Sequence, residues 1–433
     1  MPVLATAQEF LNAQRWQEVP KLHLYRDLYW QWTGSGYVPL RYKDLKRVVT
    51  RWVLHQINDA SVKYAWDVAA AVDALLHARE LETMPVWQGG NSPPAPAENL
   101  ICLRNGILDV SDGPKLLPST PSWVSGITLP AEWHVDAKAP LWLSCLDAWM
   151  CGDQELVGLL QEYVGYTLLP DTRHCVGLFL EGQGSNGKTR FLEVVQALLG
   201  RENYRSVPLQ DWAKDQFALE STSGKLANFS METAPGASLP SAELKSYISG
   251  DSRAFNVKHT SRREFEPTAR LYVSWNKRPT VKDESEGFWR RMLLVPWRRQ
   301  FKGPAKDAGL RAKLATELPG VLQWAVAGLL RLRGRGGFSE ALPEHGLVEA
   351  FRRESDPAGA FVESRLRTSR NSQLLKTDIA TAFAEWCDDN GFTIPRAEVL
   401  FRRLLEQYPG AKPSRPRDGT ARIPVILGVT WGE

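Results

Sequence analysis

The octapeptide GQGSNGKT at 182–189 lies between an apolar run, VGLFLEG, and an amphipathic one, KTRFLEVVQALLG, and constrains the fold more than any other stretch of this 433-residue chain. Gly182, Gly187, Lys188 and Thr189 fit GxxxxGK[ST] at the required spacing. In that pattern the glycines let backbone N–H groups converge on phosphate oxygens, the lysine reaches the β- and γ-phosphates, and the threonine hydroxyl ligates magnesium at a helix N-terminus. The expectation is a buried strand, a phosphate loop made by Gly182, Gln183, Gly184, Ser185, Asn186 and Gly187, and a helix stopped by Gly200. ATP with Mg2+ is the ligand this predicts. A purely structural glycine turn is the competing explanation, and the correct placing of strand and helix weighs against it.

From residue 176 to about 300 short apolar runs alternate with helical ones, as in an α/β nucleotide-binding core. Residues 1 to about 90 read as mainly helical, and the linker QGGNSPPAPAEN at 88–99 follows. LICLRNGILDVSDGPKLLP then predicts a small hairpin joined at Asn105-Gly106 and closed by Asp112-Gly113. Past GRGGF at 334–338 the chain reads as a small separate domain.

Charge and cysteine content exclude several classes. A net charge of +4 is too mild to imply a polyanionic partner by itself. Five scattered cysteines without a CxxC pair argue for reduced thiols and against a zinc site. The N-terminus lacks the apolar core of a signal peptide, and GVLQWAVAGLLRL at 320–332 is too short for a membrane span. Seventeen tryptophans are expected mostly as apolar anchors in cores and interfaces, with nucleobase stacking the less common use.

Four further features bear on chemistry. GKLANFSMETAPG ends a short apolar run at Glu232, where a P-loop enzyme needs an acid for magnesium and water; the residue before it is Met231, so there is no acidic pair. ARLYVSWNKRPTV ends a β-type run at Asn276, which is either a γ-phosphate sensor or a turn-forming asparagine. GFWRRMLLVPW sets Arg290 and Arg291 before another strand, in solvent or as a guanidinium delivered to a neighbour's γ-phosphate. Residues 251–303 carry 13 Lys or Arg against 6 Asp or Glu, and two strands are expected to meet there near Lys258 and His259. A basic hairpin beside an ATP site favours binding to a phosphate backbone over mere solvation.

In this order the motifs resemble the superfamily 3 helicases, in particular the phage, plasmid and poxvirus primase-helicase family. LRNGILDV, APLWLSCLDAWMCGDQELVGLLQEYVGYTLL and GQGSNGKT are similar to its lead-in, and ATELPGVLQWAVAGLLRL to its helical closure. The resemblance implies that Lys188 and Thr189 bind phosphates and magnesium, Glu232 is the Walker B acid, and Asn276 is the sensor. It further implies that Arg291 is an arginine finger acting in trans with Arg290 as helper. Lys245, Asp251, Lys258 and His259 would fall in the DNA-translocating hairpin. LLKTDIATAFAEWCDDNGF, RAEVLFRRLLEQY and AKPSRPRDGTARIPVILGVTW, two helices and a hairpin turning at Asp418-Gly419, resemble the family's C-terminal winged helix.

The expected architecture is multidomain α/β: a helical N-terminal collar over 1–155, a P-loop AAA+-like ATPase core over 156–335 and a winged helix over 345–433. The expected activity is that of an ATP-dependent replicative DNA helicase, a homo-hexamer on single-stranded or forked DNA in the cytoplasm of a bacterial host, without membrane attachment. No acidic metal constellation for primer synthesis is seen before the core, so the chain reads as the helicase half, either naturally separate or cut from a longer protein, with a primase or polymerase on another chain as one option. The rival is an ATP-regulated replication initiator that binds a DNA site and unwinds little.

Overall fold

A computed structural model describes residues 2–89, 92–212, 216–231, 238–251, 253–255, 263–265, 267–281, 285–301, 307, 309–339, 346–418 and 421–432. The fold is mixed α/β, built around a five-stranded parallel sheet.

The N-terminal part departs from the mainly helical expectation. Helices α1 (Val3–Ala13), α2 (Tyr42–Gln56) and α3 (Val62–His77) enclose an antiparallel sheet of β1 (Leu22–Tyr25), β2 (Leu28–Trp32) and β3 (Tyr37–Leu40). The β1–β2 turn is Arg26-Asp27, both with positive φ, the backbone that tight hairpins require. Arg-Asp lacks the Asn-Gly signature by which such turns are read from sequence. The helices pack as their periodicity demands: Leu45, Val49 and Val53 of α2 and Ala65, Val68, Ala69, Val72 and Leu76 of α3 are buried in one cluster.

The segment expected to be a hairpin is a three-stranded sheet, β4 (Leu100–Leu103), β5 (Gly106–Asp109) and β6 (Lys115–Leu117). Its first turn is Arg104-Asn105, because Gly106 already pairs with Leu103. After it come α4 (Pro140–Trp149) and α5 (Gln154–Thr167), the latter capped by Asp153, whose carboxylate accepts N–H bonds from Glu155 and Leu156.

The central sheet comprises β7 (Gly177–Glu181), β8 (Tyr204–Arg205), β9 (Ala227–Met231), β12 (Arg270–Trp275) and β13 (Met292–Pro296), in the order β8-β9-β12-β7-β13. Helix α6 (Lys188–Leu199) follows β7, and α7 (Ser241–Ser249) leads to a hairpin of β10 (Arg253–Phe255) and β11 (Arg263–Phe265). Short α8 (Glu286–Trp289) precedes β13, and α9 (Leu310–Thr316) and α10 (Leu318–Arg335) close the core.

One apolar cluster runs from Ile101 through α4, α5 and the sheet to Leu329. Trp142 is its hub, stacked on Phe191 and meeting Trp149 and Trp324 edge-on. Helices α5 and α10 approach closely at Gly165 and Gly328, where a Cβ would strike the backbone of the opposite helix. The fully buried carboxylate of Glu162 sits beside this contact, paired with Arg331 at 2.7 Å and Arg335 at 3.1 Å.

Beyond the core, α11 (Leu347–Ser355) lays Phe351 against Trp275 and Trp289. The rest is α12 (Pro357–Arg365), β14 (Leu366–Leu375), α13 (Lys376–Asp389), α14 (Ala397–Gln407), β15 (Lys412–Ser414) and β16 (Val425–Trp431), with sheet order β14-β16-β15. These elements share their own core, centred on Phe361, Phe383, Leu400 and Ile426. Strand β14 adds a third strand to the expected helix, helix and hairpin: its sequence, LRTSRNSQLL, is largely polar, and its pairing slips between Thr368 and Gln373.

Among the described residues no helix is long and apolar enough to cross a membrane.

Candidate nucleotide site

The loop 182–187 connects the C-terminal end of β7 to the first turn of α6, where parallel sheets bind ligands and helix dipoles favour anions. Its shape depends on two glycines. A Cβ on Gly182 would overlap the carbonyl of Trp297, and one on Gly187, at φ +96°, would overlap the Trp149 indole. Ser185 also has positive φ. The adjoining strands anchor the loop: Gly182 N–H donates to Trp275 O at 3.2 Å, Phe301 N–H to Ser185 O at 2.8 Å, and the buried Asn186 amide to Trp297 O at 3.2 Å.

Lys188 is buried, and its ammonium donates to Gly182 O, to Asn186 Oδ1 at 3.3 Å and to Asn276 Oδ1 at 3.3 Å. Loop lysine and strand-end asparagine, 88 positions apart in the chain, therefore meet. Gln183, Ser185 and Thr189 are exposed around them. Burial lowers the Lys188 pKa from 10.5 to about 8, partly offset by Glu181.

An anionic phosphate at Lys188 would restore its charge, so nucleotide binding takes up a proton above pH of about 8. Affinity for ATP is then expected to fall by up to about tenfold per pH unit above that point. Titration calorimetry in buffers of different ionisation enthalpy checks both the slope and the proton uptake. For stability the sign is opposite: between about 8 and 10.5 the unfolded chain binds more protons at this lysine, so its contribution to stability rises with pH.

Sequence reasoning missed a second ring of contacts. Glu181, just before the loop, is held by Arg278 at 2.7 and 3.0 Å, and Arg278 also reaches Glu354 of α11 at 2.8 Å. One guanidinium thus joins the loop, the segment after Asn276 and the helix leading to the C-terminal elements. The only sequence signal was an arginine two positions beyond the asparagine.

The remaining expected residues lie elsewhere or outside the described residues. Strand β9 ends at Met231, paired with Ser274; Glu232, which follows, lies outside the described residues. Arg290 and Arg291 sit at the opposite, N-terminal end of the strands: Gly177 N–H, at the start of β7, donates to Arg291 O. With about 3.3 Å of rise per residue, the length of β7 separates them from the phosphate loop by roughly 13 Å. Arg290 is exposed, whereas Arg291 donates to Ser249 Oγ at 2.7 and 3.0 Å and to Gly287 O. Ser249 ends α7, so Arg291 is tied to the root of the β10–β11 hairpin. Lys245 of α7 reaches Ser285 Oγ at 3.4 Å, and Asp251 is exposed after Gly250. Lys258 and His259 lie outside the described residues, between the paired strands Arg253–Phe255 and Arg263–Phe265.

Among the described residues no group of three or more His, Cys, Asp or Glu side chains converges as a metal site. Thr189 offers a hydroxyl at the loop, which suits magnesium that takes its other ligands from phosphate and water.

Comparison with known proteins bears on the same region. Residues 180–291 match a family described as a family of unknown function, DUF5906. A 129-residue stretch is 25% identical to "Putative helicase L207/L206" of Acanthamoeba polyphaga mimivirus, and a 169-residue stretch is 27% identical to "Putative helicase 022R" of Frog virus 3. These matches cover 28% and 34% of this chain but only 13% and 17% of the viral proteins. The overall fold is similar to structures of the NrS-1 C-terminal region, with TM-scores of 0.55 and 0.54, 11% identity and 98–99% of both chains covered.

Proposed function

We propose that the chain is an ATP-dependent DNA helicase of superfamily 3 type, from a phage, plasmid or related mobile element, acting in DNA replication. Its working form is a homo-hexameric ring on single-stranded DNA. Lys188, Thr189 and the loop 182–187 bind ATP and magnesium, Glu232 polarises water, and Asn276 senses the γ-phosphate. Arg291, assisted by Arg290, completes the site from the neighbouring subunit. Lys245, Lys258 and His259 belong to the DNA-translocating element. Residues 1–155 serve as collar, 156–335 as AAA+-like ATPase and 345–433 as a winged-helix DNA-binding unit.

The observation that carries this reading is the separation of the two half-sites. Lys188 meets Asn276 at the C-terminal ends of the central strands, while Arg290 and Arg291 sit at their N-terminal ends. A reaction needing both sets must be assembled between two copies in a head-to-tail, closing contact. The viral proteins named as helicases support the same activity.

Subunit mixing tests it. Lys188→Ala and Arg291→Ala proteins are each expected to be inactive alone, and an equimolar mixture should regain about a quarter of wild-type sites if subunits assemble at random in a ring. A mixture as inactive as its parents refutes the shared site. Slow hydrolysis indifferent to DNA, with tight binding of one duplex site, would favour the initiator instead.

A further inference from the structure

The C-terminal hairpin places like charges face to face. Arg417 is the direct cross-strand partner of Arg422, and Asp418 of Ala421. Like charges in that position destabilise a strand pair. Among the described residues neither guanidinium has a hydrogen-bond or ion-pair partner, and both are exposed, as are Lys412 and Arg415 on the same arm. From 412 to 422 the arm holds four basic residues against one acidic. The pair Arg417–Arg422 lies between β15 and β16 in the chain, and the buried residues there are Val425 and Ile426 of β16.

Helix α14, the other candidate for facing DNA, is charge-balanced. Its exposed face carries Glu398, Arg402 and Glu406, with Arg402 3.8 Å from Glu406. Arg403 is held by Asp356 at 3.3 Å and by Glu406 at 2.6 Å. A helix whose arginines are matched by its own Glu406 and by Asp356 at the start of α12 has little to offer a phosphate backbone or a guanine edge.

We infer that the arm 412–422 is a phosphate-backbone clamp for nucleic acid, with Arg417 and Arg422 gripping one stretch of backbone between them and α14 standing back from the contact. The inference rests on the proposed DNA-facing role of the C-terminal unit and gives it a mode: binding without base readout. Two guanidiniums brought together by register have their repulsion removed when phosphate oxygens lie between them, and each phosphate so neutralised releases counterions.

The test uses the full chain without nucleotide and three fluorescent probes: oligo(dT), a mixed-sequence duplex and polyglutamate. Binding is read by anisotropy over a salt series. Arg417→Ala combined with Arg422→Ala should weaken binding to oligo(dT) and the duplex about tenfold and make the log–log salt slope shallower by about 1.8 on the duplex and about 1.4 on oligo(dT). Lysine at both positions should keep most of the slope, and Arg402→Ala on α14 should change neither quantity. An unaltered thermal transition shows that the double variant is folded, as expected for exposed side chains. Unchanged affinity and slope in the folded double variant overturn the clamp, as does a larger loss in Arg402→Ala. Polyglutamate bound as tightly as oligo(dT) would mark the arm as a site for acidic polypeptide and equally overturn it. If wild type binds none of the probes, the DNA-facing reading itself falls; if it binds them with indifference to positions 417 and 422, the clamp alone falls.

Discussion

Lys188→Ala is expected to lower ATP turnover by about two to three orders of magnitude, the loss typical when one preorganised cation or donor is removed from a charged transition state. The lysine is buried, and its only described partners are Gly182 O, Asn186 Oδ1 and Asn276 Oδ1, all neutral oxygens. A buried ammonium that no carboxylate contacts, and whose desolvation the nearby Glu181 only partly offsets, is costly unless an anion arrives, and the phosphate chain of ATP is the anion the loop is shaped to receive. Steady-state hydrolysis of wild type and variant measures the effect. A thermal melt of the variant beside wild type separates lost chemistry from lost fold.

Glu162→Ala is expected to cost about 3–5 kcal/mol, because it leaves a buried ionic cluster without its anion. Glu162 accepts from Arg331 and Arg335 and from both the N–H and the hydroxyl of Ser339, so it ties α5 to the end of α10 and to the segment leaving the core. Arg331 and Arg335 are partly exposed, which lets water soften their loss and places the effect at the lower end of that range. A urea titration followed by tryptophan fluorescence checks the shift. Glu162→Gln keeps an acceptor for Ser339 and should lose less. No change on either substitution would mean that the cluster contributes only shape.

What was readable in the chain follows from how local each signal is. The phosphate loop, its strand and its helix were legible because glycine spacing and the two flanking periodicities are contiguous in sequence. Arg290 and Arg291 were recognisable as residues before a strand, but their distance from Lys188 was not, since it depends on which end of β7 they adjoin. The N-terminal sheet escaped because its turn uses Arg26-Asp27, and β14 escaped because a polar strand with a slipped register has no clean alternation. The Glu181–Arg278–Glu354 chain joins residues far apart in sequence, and no spacing rule connects them. Gly165 and Gly328 let α5 and α10 touch, a use that no local pattern signals because each faces a helix distant in sequence.

The proposed coupling of ATP to DNA is tested most directly by the rate of ATP hydrolysis with magnesium, in the absence and presence of oligo(dT), for wild type and Lys188→Ala. A helicase of the kind proposed hydrolyses ATP several-fold faster when single-stranded DNA is added, and the lysine variant stays inactive in both conditions. A rate unmoved by DNA, or one that survives the loss of Lys188, would contradict the account.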